Sequence, residues 1–574
     1  MMKMKKCCLV ALFALAVLCL AAPGTAATKY VTETGAGVKD GSNWDNASDN
    51  LKDVMNTAES GDDIWVAVGT YSPGNDVTDT FKLNKGVKVY GGFAGGETAL
   101  TQRNWETNKT VLSGGNSVYH VVTGGTDATS ADTRLDGFTV TGGNANGPNE
   151  EDKYGGGMYN DNSSPTVVNC TFSGNTAQDE GGGMHNAFSS PTVENCIFSG
   201  NGAAKYGGGM YNWQSSSTVA NCTFSGNEAA GPGGGGGMYN VGSSPTVENC
   251  TFSGNEAAGP GGGMGNNSSS PRVENCTFSG NTADMNGGMS NWNSSPTVVN
   301  CTFSGNKAER GGGMGNRSNS SPRVANCTFS GNTAAKDGGG MYNQFSSPGV
   351  VNCTFSGNTA AELGGGMHNN NSSPTVVNCT FSRNTATSSG GGMLNWASSL
   401  TVVNTILWGN VAPNDNSGPD IYQSGGTLTL NHCVVGKYVL ANGATEDKTN
   451  LIRTDPLLTE LDVNGDPVVP PAELYVYGLK PSSPALDAGL NVGTQISGDV
   501  KVPDVDQLGT TRPQNGKVDI GAFEKPEGGT PPTPPAPPPG PGGGGGSGGC
   551  DAGMGAIAVF ALLGAVLLHR KDEN

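Results

Sequence analysis

The chain has 574 residues, a net charge of −18 and only 31 Lys plus Arg. That balance argues against nucleic-acid binding, which needs a basic surface, and fits a soluble exported surface. Gly, Ser, Asn and Thr dominate while charged residues are few, as a chain of short strands and many turns requires.

Lys3, Lys5 and Lys6 precede an apolar run and then Pro-Gly-Thr-Ala-Ala, so residues 1–27 read as a secretory signal peptide cleaved near Ala26 or Ala27. Leu18 stands where a lipoprotein signal would need a small residue before Cys19, so no lipid attachment is expected. Residues 28–61 read as an N-terminal cap. Lys29 to Val31 would form a first strand, and 48–58 an amphipathic helix with Leu51, Val54, Met55 and Ala58 on one face. Laid across the open end of a stack of strands, such a helix covers an exposed core. Residues 62–150 hold irregular extended coils.

From 151 to 410 one unit returns almost unchanged. Its first copy, 155–175, reads GGGMYNDNSSPTVVNCTFSGN, and its cysteine recurs at Cys170, Cys196, Cys222, Cys250, Cys276, Cys301, Cys327, Cys353 and Cys379. The spacing of about 26 residues lies in the range of solenoids. Each unit holds two short extended runs and no helical period. Met158 and its equivalents through Met393 keep one column apolar, while the next column varies: Tyr159, His185, Tyr211, Tyr239, Gly265, Ser290, Gly315, Tyr342, His368, Leu394. A fixed column beside a variable one separates inside from outside. In the second run Val167, Cys170 and Phe172 point inward, Val168 outward, and Asn169 sits at a bend as a buried ladder residue. Gly174 and Asn175 close the coil with positive φ.

Such coils cannot bury their apolar faces alone and must stack on copies of themselves. The fold class is therefore all-β, a right-handed parallel β-helix of pectate-lyase-like type, the hand following the rule for parallel crossovers. Ten rungs at about 4.8 Å give a rod roughly 50 Å long. A β-propeller would need blades of about 40–45 residues.

The paired GGGM and NCTFSGN elements resemble the repeats of chlamydial polymorphic outer membrane proteins, and more widely bacterial right-handed β-helix repeat proteins. The resemblance implies a surface protein or adhesin, exported to the cell surface or outer membrane of a Gram-negative-type bacterium.

Residues 411–525 read as C-terminal coils followed by a module. Its PSSPALDAG (481–489) and VDIGAFE (518–524) resemble the choice-of-anchor Q module, which would close the end of the rod. Residues 526–549 form a Pro-rich then Gly-rich linker expected to be disordered. The last segment, 550–574, holds an apolar run of about the minimum length for a bilayer span, then His569, Arg570 and Lys571. Gly548, Gly549, Cys550, the apolar helix and the basic tail together resemble a Synergistes-type C-terminal sorting signal. That resemblance implies recognition and processing by export and sorting machinery; the alternative is a plain membrane anchor.

No catalytic set, cofactor motif or metal-ligand spacing stands out. The best carboxylate cluster is Glu248 and Glu274 near Arg272, with Glu194 two rungs earlier, too sparse for a polysaccharide lyase or glycosidase expectation to lead. The ladder cysteines are expected as buried free thiols, since an odd column cannot pair fully. The candidate ligand-facing stripe is Tyr159, His185, Tyr211 and Tyr239, whose rings either stack an extracellular glycan or protein ligand or simply stabilise neighbouring rungs. Trp213, Trp292 and Trp396 add exposed apolar points to the same side.

Overall fold

The computed structural model describes residues 26–125, 132–463, 475–514 and 517–525. Residues 1–25 of the expected signal peptide, the expected Pro/Gly linker, Gly548, Gly549, Cys550 and the terminal apolar run lie outside these described residues.

One rung begins with strand Met158–Asp161, turns to Thr166–Val168, bends at Asn169 into Thr171–Ser173, and returns through Thr176–Ala177 and three glycines. Every piece pairs in parallel with its equivalent one repeat on: Met158 with Met184, Val167 with Val193, Phe172 with Phe198. The result is a Met sheet of 14 strands, a Val sheet of 16 and a third, Phe-bearing sheet around one continuous core.

Identical residues meet inside. The phenylalanines from Phe172 to Phe381 stack with centroids 4.3 to 4.9 Å apart. Two polar ladders share this interior. The Asn160 amide donates to Asn186 Oδ1 at 2.9 Å, and the Asn175 amide donates both to Asn201 Oδ1 and to the Val140 carbonyl at 3.0 Å. The Asn160 ladder bonds carboxamide to carboxamide, whereas each carboxamide of the Asn175 ladder also satisfies backbone groups at the corner. The Ser-Ser-Pro turn is pinned in both directions. The Ser163 amide donates to Ser189 Oγ on the next rung, and the Ser190 amide to Ser164 Oγ on the previous one.

The two asparagine corners exchange the roles expected of them. Asn169 adopts φ 52° and is only half-buried, whereas Asn175 is fully buried and leaves the left-handed turn to Gly174 at φ 62°. Glycine accepts positive φ without a Cβ clash, so it frees the following asparagine to point inward. In the glycine run, Gly156 is required by close approach: a Cβ there would lie 2.2 Å from the Thr176 carbonyl oxygen.

The cysteines form a third ladder, and all ten from Cys170 to Cys433 are free and buried. Each thiol donates to a carbonyl two residues back, as Cys170 does to Val168 at 3.2 Å, while the Cys170 amide donates to Cys196 Sγ at 3.4 Å. Burial pushes the Cys196, Cys222 and Cys276 thiols well above their ordinary range, and Cys433 up to about 12. Protonated thiols of this kind behave as small apolar residues.

At the N-terminal end, helix Leu51–Thr57 buries Leu51 and Met55 against the core, with the Asn50 side chain accepting from the Asp53 amide. The rod starts earlier than residue 62, because Thr28–Val31 already pairs with Asp63–Ala67 in the Val sheet. At the other end, the last Val-sheet strand, Thr445–Thr449, is exposed and carries Glu446, Asp447 and Lys448. Charges on an edge strand discourage further pairing.

The C-terminal segment does not close the end of the rod. It folds back along the flank over rungs from Thr328 to Asn404. Gln507 donates to Thr328 Oγ1 at 2.9 Å and accepts from Thr354 Oγ1 at 2.7 Å. The Ala522 amide donates to Thr380 Oγ1 at 3.2 Å, and the Leu490 amide to Asn404 Oδ1 at 2.7 Å. Val502 and Val518 pack on Val351, Val377 and Val403. The segment is held by buried Arg512, which pairs with Glu524 at 3.1 Å while Asp506 and Asp519 crowd the same guanidinium.

Candidate functional site

The variable column of the Met sheet lies in a trough. One wall is the residue that precedes each glycine run; Tyr154, Glu180, Tyr206 and Gly234 bridge one another in parallel along it. The other wall is the strand-end column Ala187, Trp213, Val241, Asn267 and Trp292.

Tyr159, His185, Tyr211 and Tyr239 stack along this trough as the sequence suggests, with centroid separations of 5.4, 5.1 and 6.1 Å, and His120 extends the stack at 5.1 Å from Tyr159. The stripe is not an open surface, however. Tyr159 is half-buried, and His185, Tyr211 and Tyr239 are 2%, 6% and 7% exposed. The reason is the wall column: Tyr154 stacks on His185 at 4.9 Å and Tyr206 covers Tyr239 at 4.8 Å. Glu180 Oε2 also meets His185 Nε2 at 3.2 Å. Burial pushes the Tyr159 and Tyr239 hydroxyls up to about 12, so both stay neutral donors.

The ring column then breaks for three rungs, at Gly265, Ser290 and Gly315, before Tyr342 and His368 resume it. The wall becomes small at the same place, through Gly233, Gly234 and Pro260. Tyr239 leans over Gly265, where a Cβ would sit 2.4 Å from its ring, and Asn286 lies over Gly315 and donates to Ser290 Oγ at 2.9 Å. What remains is a cleft of about 230 Å³ lined by Tyr206, Pro232, Tyr239, Asn267, Ser290 and Trp292 among others, with no charged side chain. Beyond it Arg317 lies over the Tyr342 ring at 5.4 Å, and burial lowers the buried His368 to about 4. Sequence reading missed this cleft although part of its signal is there: the ring column loses its bulk from Gly265 to Gly315 and the wall column at Gly234 and Pro260, so the two overlap at the rung of Gly265.

The trough edge carries the open apolar groups. Trp213, Trp292 and Trp396 are 41%, 52% and 52% exposed, and Phe188 and Phe345 join them at 51% and 55%. Phe188 and Phe345 occupy the corner after the strand with φ 48° and 52°. Left-handed backbone is uncommon for a bulky residue.

On the Val sheet, Glu248 and Glu274 are in register on adjacent rungs, with Glu194 two rungs before Glu248, and Arg272 pairs with Glu274 at 2.5 Å. Among the described residues, no three His, Cys, Asp or Glu side chains converge in a metal-holding group.

Comparison with solved structures finds β-helix proteins. The chain is 14% identical to pectate lyase Pel9A, covering 87% of this chain and 96% of that one at a TM-score of 0.31. It is 11% identical to XylC, solved with xylose, covering 88% and 99% at a TM-score of 0.36. It is 10% identical to PfbA, a surface adhesin of Streptococcus pneumoniae, covering 75% and 94% at a TM-score of 0.28. Likenesses this distant say nothing of what this chain does. Comparison with curated proteins finds no match. The family described as right handed beta helix region matches residues 85–252, 232–346 and 295–442, together more than half of the sequence. With the parallel register of its three sheets, that match places the chain in the right-handed β-helix family.

Proposed function

We propose that this chain is an exported, surface-displayed β-helix rod that works by binding, as an adhesin or a structural element of the cell envelope. The observation that carries the reading is the row of open aromatics along one edge: Phe188, Trp213, Trp292, Phe345 and Trp396. The core of the rod does not require it, because the core is filled by the Phe, Met, Val and Cys ladders and these side chains are 41–55% exposed, with the Phe188 and Trp213 ring centroids 4.8 Å apart. Two of the five also hold left-handed backbone. Exposed aromatics in line are the usual substance of an interaction surface. The sorting-signal resemblance of Gly548, Gly549 and Cys550 supplies the route to the surface.

Protease shaving of intact cells, with mass spectrometry of the released peptides and of the C-terminus, tests display and sorting together. Repeat peptides released from live cells, and a chain lacking the tail beyond Cys550, are the expected results. Protected repeats with an intact tail would overturn the reading in favour of a periplasmic, membrane-tethered protein. A polysaccharide-active enzyme is the second reading, favoured by the in-register Glu248 and Glu274 beside Arg272. A reducing-sugar or unsaturated-product assay on acidic glycans tests it.

A further inference from the structure

We propose that the cleft at the break in the ring column is a subsite for one neutral sugar ring of an extended polysaccharide lying along the aromatic edge. The inference deepens the binding reading above and names its ligand class.

Three observations lead to it. The first is the shape of the cleft. Stacked rings fill the trough from His120 to Tyr239, and Tyr342 and His368 carry rings again, so the rungs of Gly265, Ser290 and Gly315 are a gap in the column that Tyr239 and Asn286 narrow to a cleft beside Ser290. Its volume of about 230 Å³ falls below the roughly 300–1,000 Å³ of drug-sized sites, and suits a single ring.

The second is chemical. Trp292, 52% exposed, offers an apolar face on which the C–H face of a pyranose packs, while Asn267 and Tyr206 stand at the lining with polar side chains that can meet hydroxyl groups. No charged side chain lines the cleft, and the whole chain carries −18. A uronate polymer would find no cation there and a repulsive field outside. The fit is to an uncharged sugar.

The third is periodicity. Register places Trp213 three rungs before Trp292, and Trp396 four rungs after it. At about 4.8 Å per rung these steps are roughly 14 and 19 Å. An extended β-linked glycan advances by close to one rung per sugar. A chain running parallel to the rod can therefore put one ring into the cleft and others against Trp213 and Trp396 without changing its repeat.

The test is calorimetric titration of the secreted chain with cellohexaose, mannohexaose, hexagalacturonate and a Phe/Tyr-containing hexapeptide. Binding of at least one neutral hexasaccharide is expected, with no heat from the uronate. Trp292→Ala and Ser290→Tyr should each weaken it by about tenfold or more, and Trp396→Ala by about two- to threefold. Ser290→Tyr restores a ring that the same column carries on other rungs. Trp292 is exposed, so its alanine variant tests the site even if the tyrosine variant fails to fold. No binding of either neutral glycan overturns the assignment. So does unchanged affinity in Trp292→Ala, a preference for hexagalacturonate, or displacement of the glycan by the peptide. Because purified protein is used, failure here leaves surface display to be judged by shaving, and the reverse.

Discussion

On the Val sheet the outward column holds Glu194, Ala220, Glu248 and Glu274, all half-open to water. A few rungs on, the same column holds Val351, Val377 and Val403, buried beneath Val502 and Val518. The neighbouring threonines divide alike: Thr223, Thr251 and Thr277 are half-buried, whereas Thr328, Thr354 and Thr380 are fully covered by 505–522. The interior ladders run through both halves without change. The difference teaches that in a stacked fold the inward columns specify the rod, and the outward columns record what lies against each stretch of it. Where the chain covers itself, the column is valine on three successive rungs and carries no glutamate, whereas the open half mixes glutamate and alanine with the single valines Val168 and Val299.

The largest effects should ignore the boundary. Phe278→Ala in the open half and Phe381→Ala in the covered half each empty one place in the same buried stack. Each should cost about 3–5 kcal/mol, the usual loss for a large core aromatic. Because rungs are stabilised mainly by their neighbours, the loss should show as faster amide exchange over adjacent rungs. A much smaller loss in either half would mean that the ladders are not equivalent.

Val377→Glu should expose the boundary itself. It places the side chain of the open half under the folded-back segment, where a carboxylate meets the apolar side chains of Val502 and Val518. Burying an unpaired charge costs several kcal/mol, and undocking is the cheaper response. Limited proteolysis should then cut within 475–525 while leaving the repeats intact. Continued protection of that segment would show that its hold comes from the Gln507 and Ala522 hydrogen bonds instead.

Acidity should move the two regions in opposite directions. In the folded-back segment three carboxylates, Asp506, Asp519 and Glu524, surround one Arg512, and burial first, then repulsion from Asp519, raises Glu524 to about 7 from its ordinary 4.5. The folded segment therefore keeps a proton that the undocked chain has lost between these values. Its docking is strongest near pH 4.5 and weakens as pH rises through 7. His368 behaves inversely. Burial lowers it to about 4 from 6.5, so its rung is fully stable above 6.5 and loses stability as pH falls towards 4. Each effect amounts to about 3 kcal/mol at most. Amide protection, taken relative to the intrinsic base-catalysed rate at each pH, should be higher at Ala522 and Glu524 at pH 5 than at pH 7.5, and lower around Met367 and His368.

The rod was legible because its signal repeats. The Met, Val, Cys and Phe columns are read directly from spacing, and the structure buries all four. The asparagine corners were not separable by pattern, since Asn169 and Asn175 both follow strand-like runs. Only the choice of Gly174 for the left-handed position decides which one turns inward. The aromatic stripe reads from sequence as an outward column, but three of its four rings are buried because Tyr154 and Tyr206 from the neighbouring column cover them. The fold-back position of 475–525 left one trace, an unbroken run of valines at 351, 377 and 403, where the column earlier mixes glutamate and alanine with single valines at 168 and 299. A single outward column changing from polar to apolar marks a covered flank. A cap on the rod's end would leave the column unchanged.

The smallest expected effect is the sharpest check on that rule. Glu248→Val puts the covered half's residue into the open half, where Glu248 is half-exposed and makes its strand pairing with Ala220 and Glu274 through the backbone. Valine suits a strand, and no partner is lost from the core, so stability should stay within about 0.5 kcal/mol of the parent. A thermal melt decides this, and light scattering decides a second point. If valine in this column is a signature of covering, the lone variant should remain monodisperse, because one exposed valine is not a patch. Adding Glu194→Val and Glu274→Val would extend the apolar column over several rungs and should produce association. Association without loss of melting temperature would show that the column's polarity, rather than its fit to the fold, keeps the open half free.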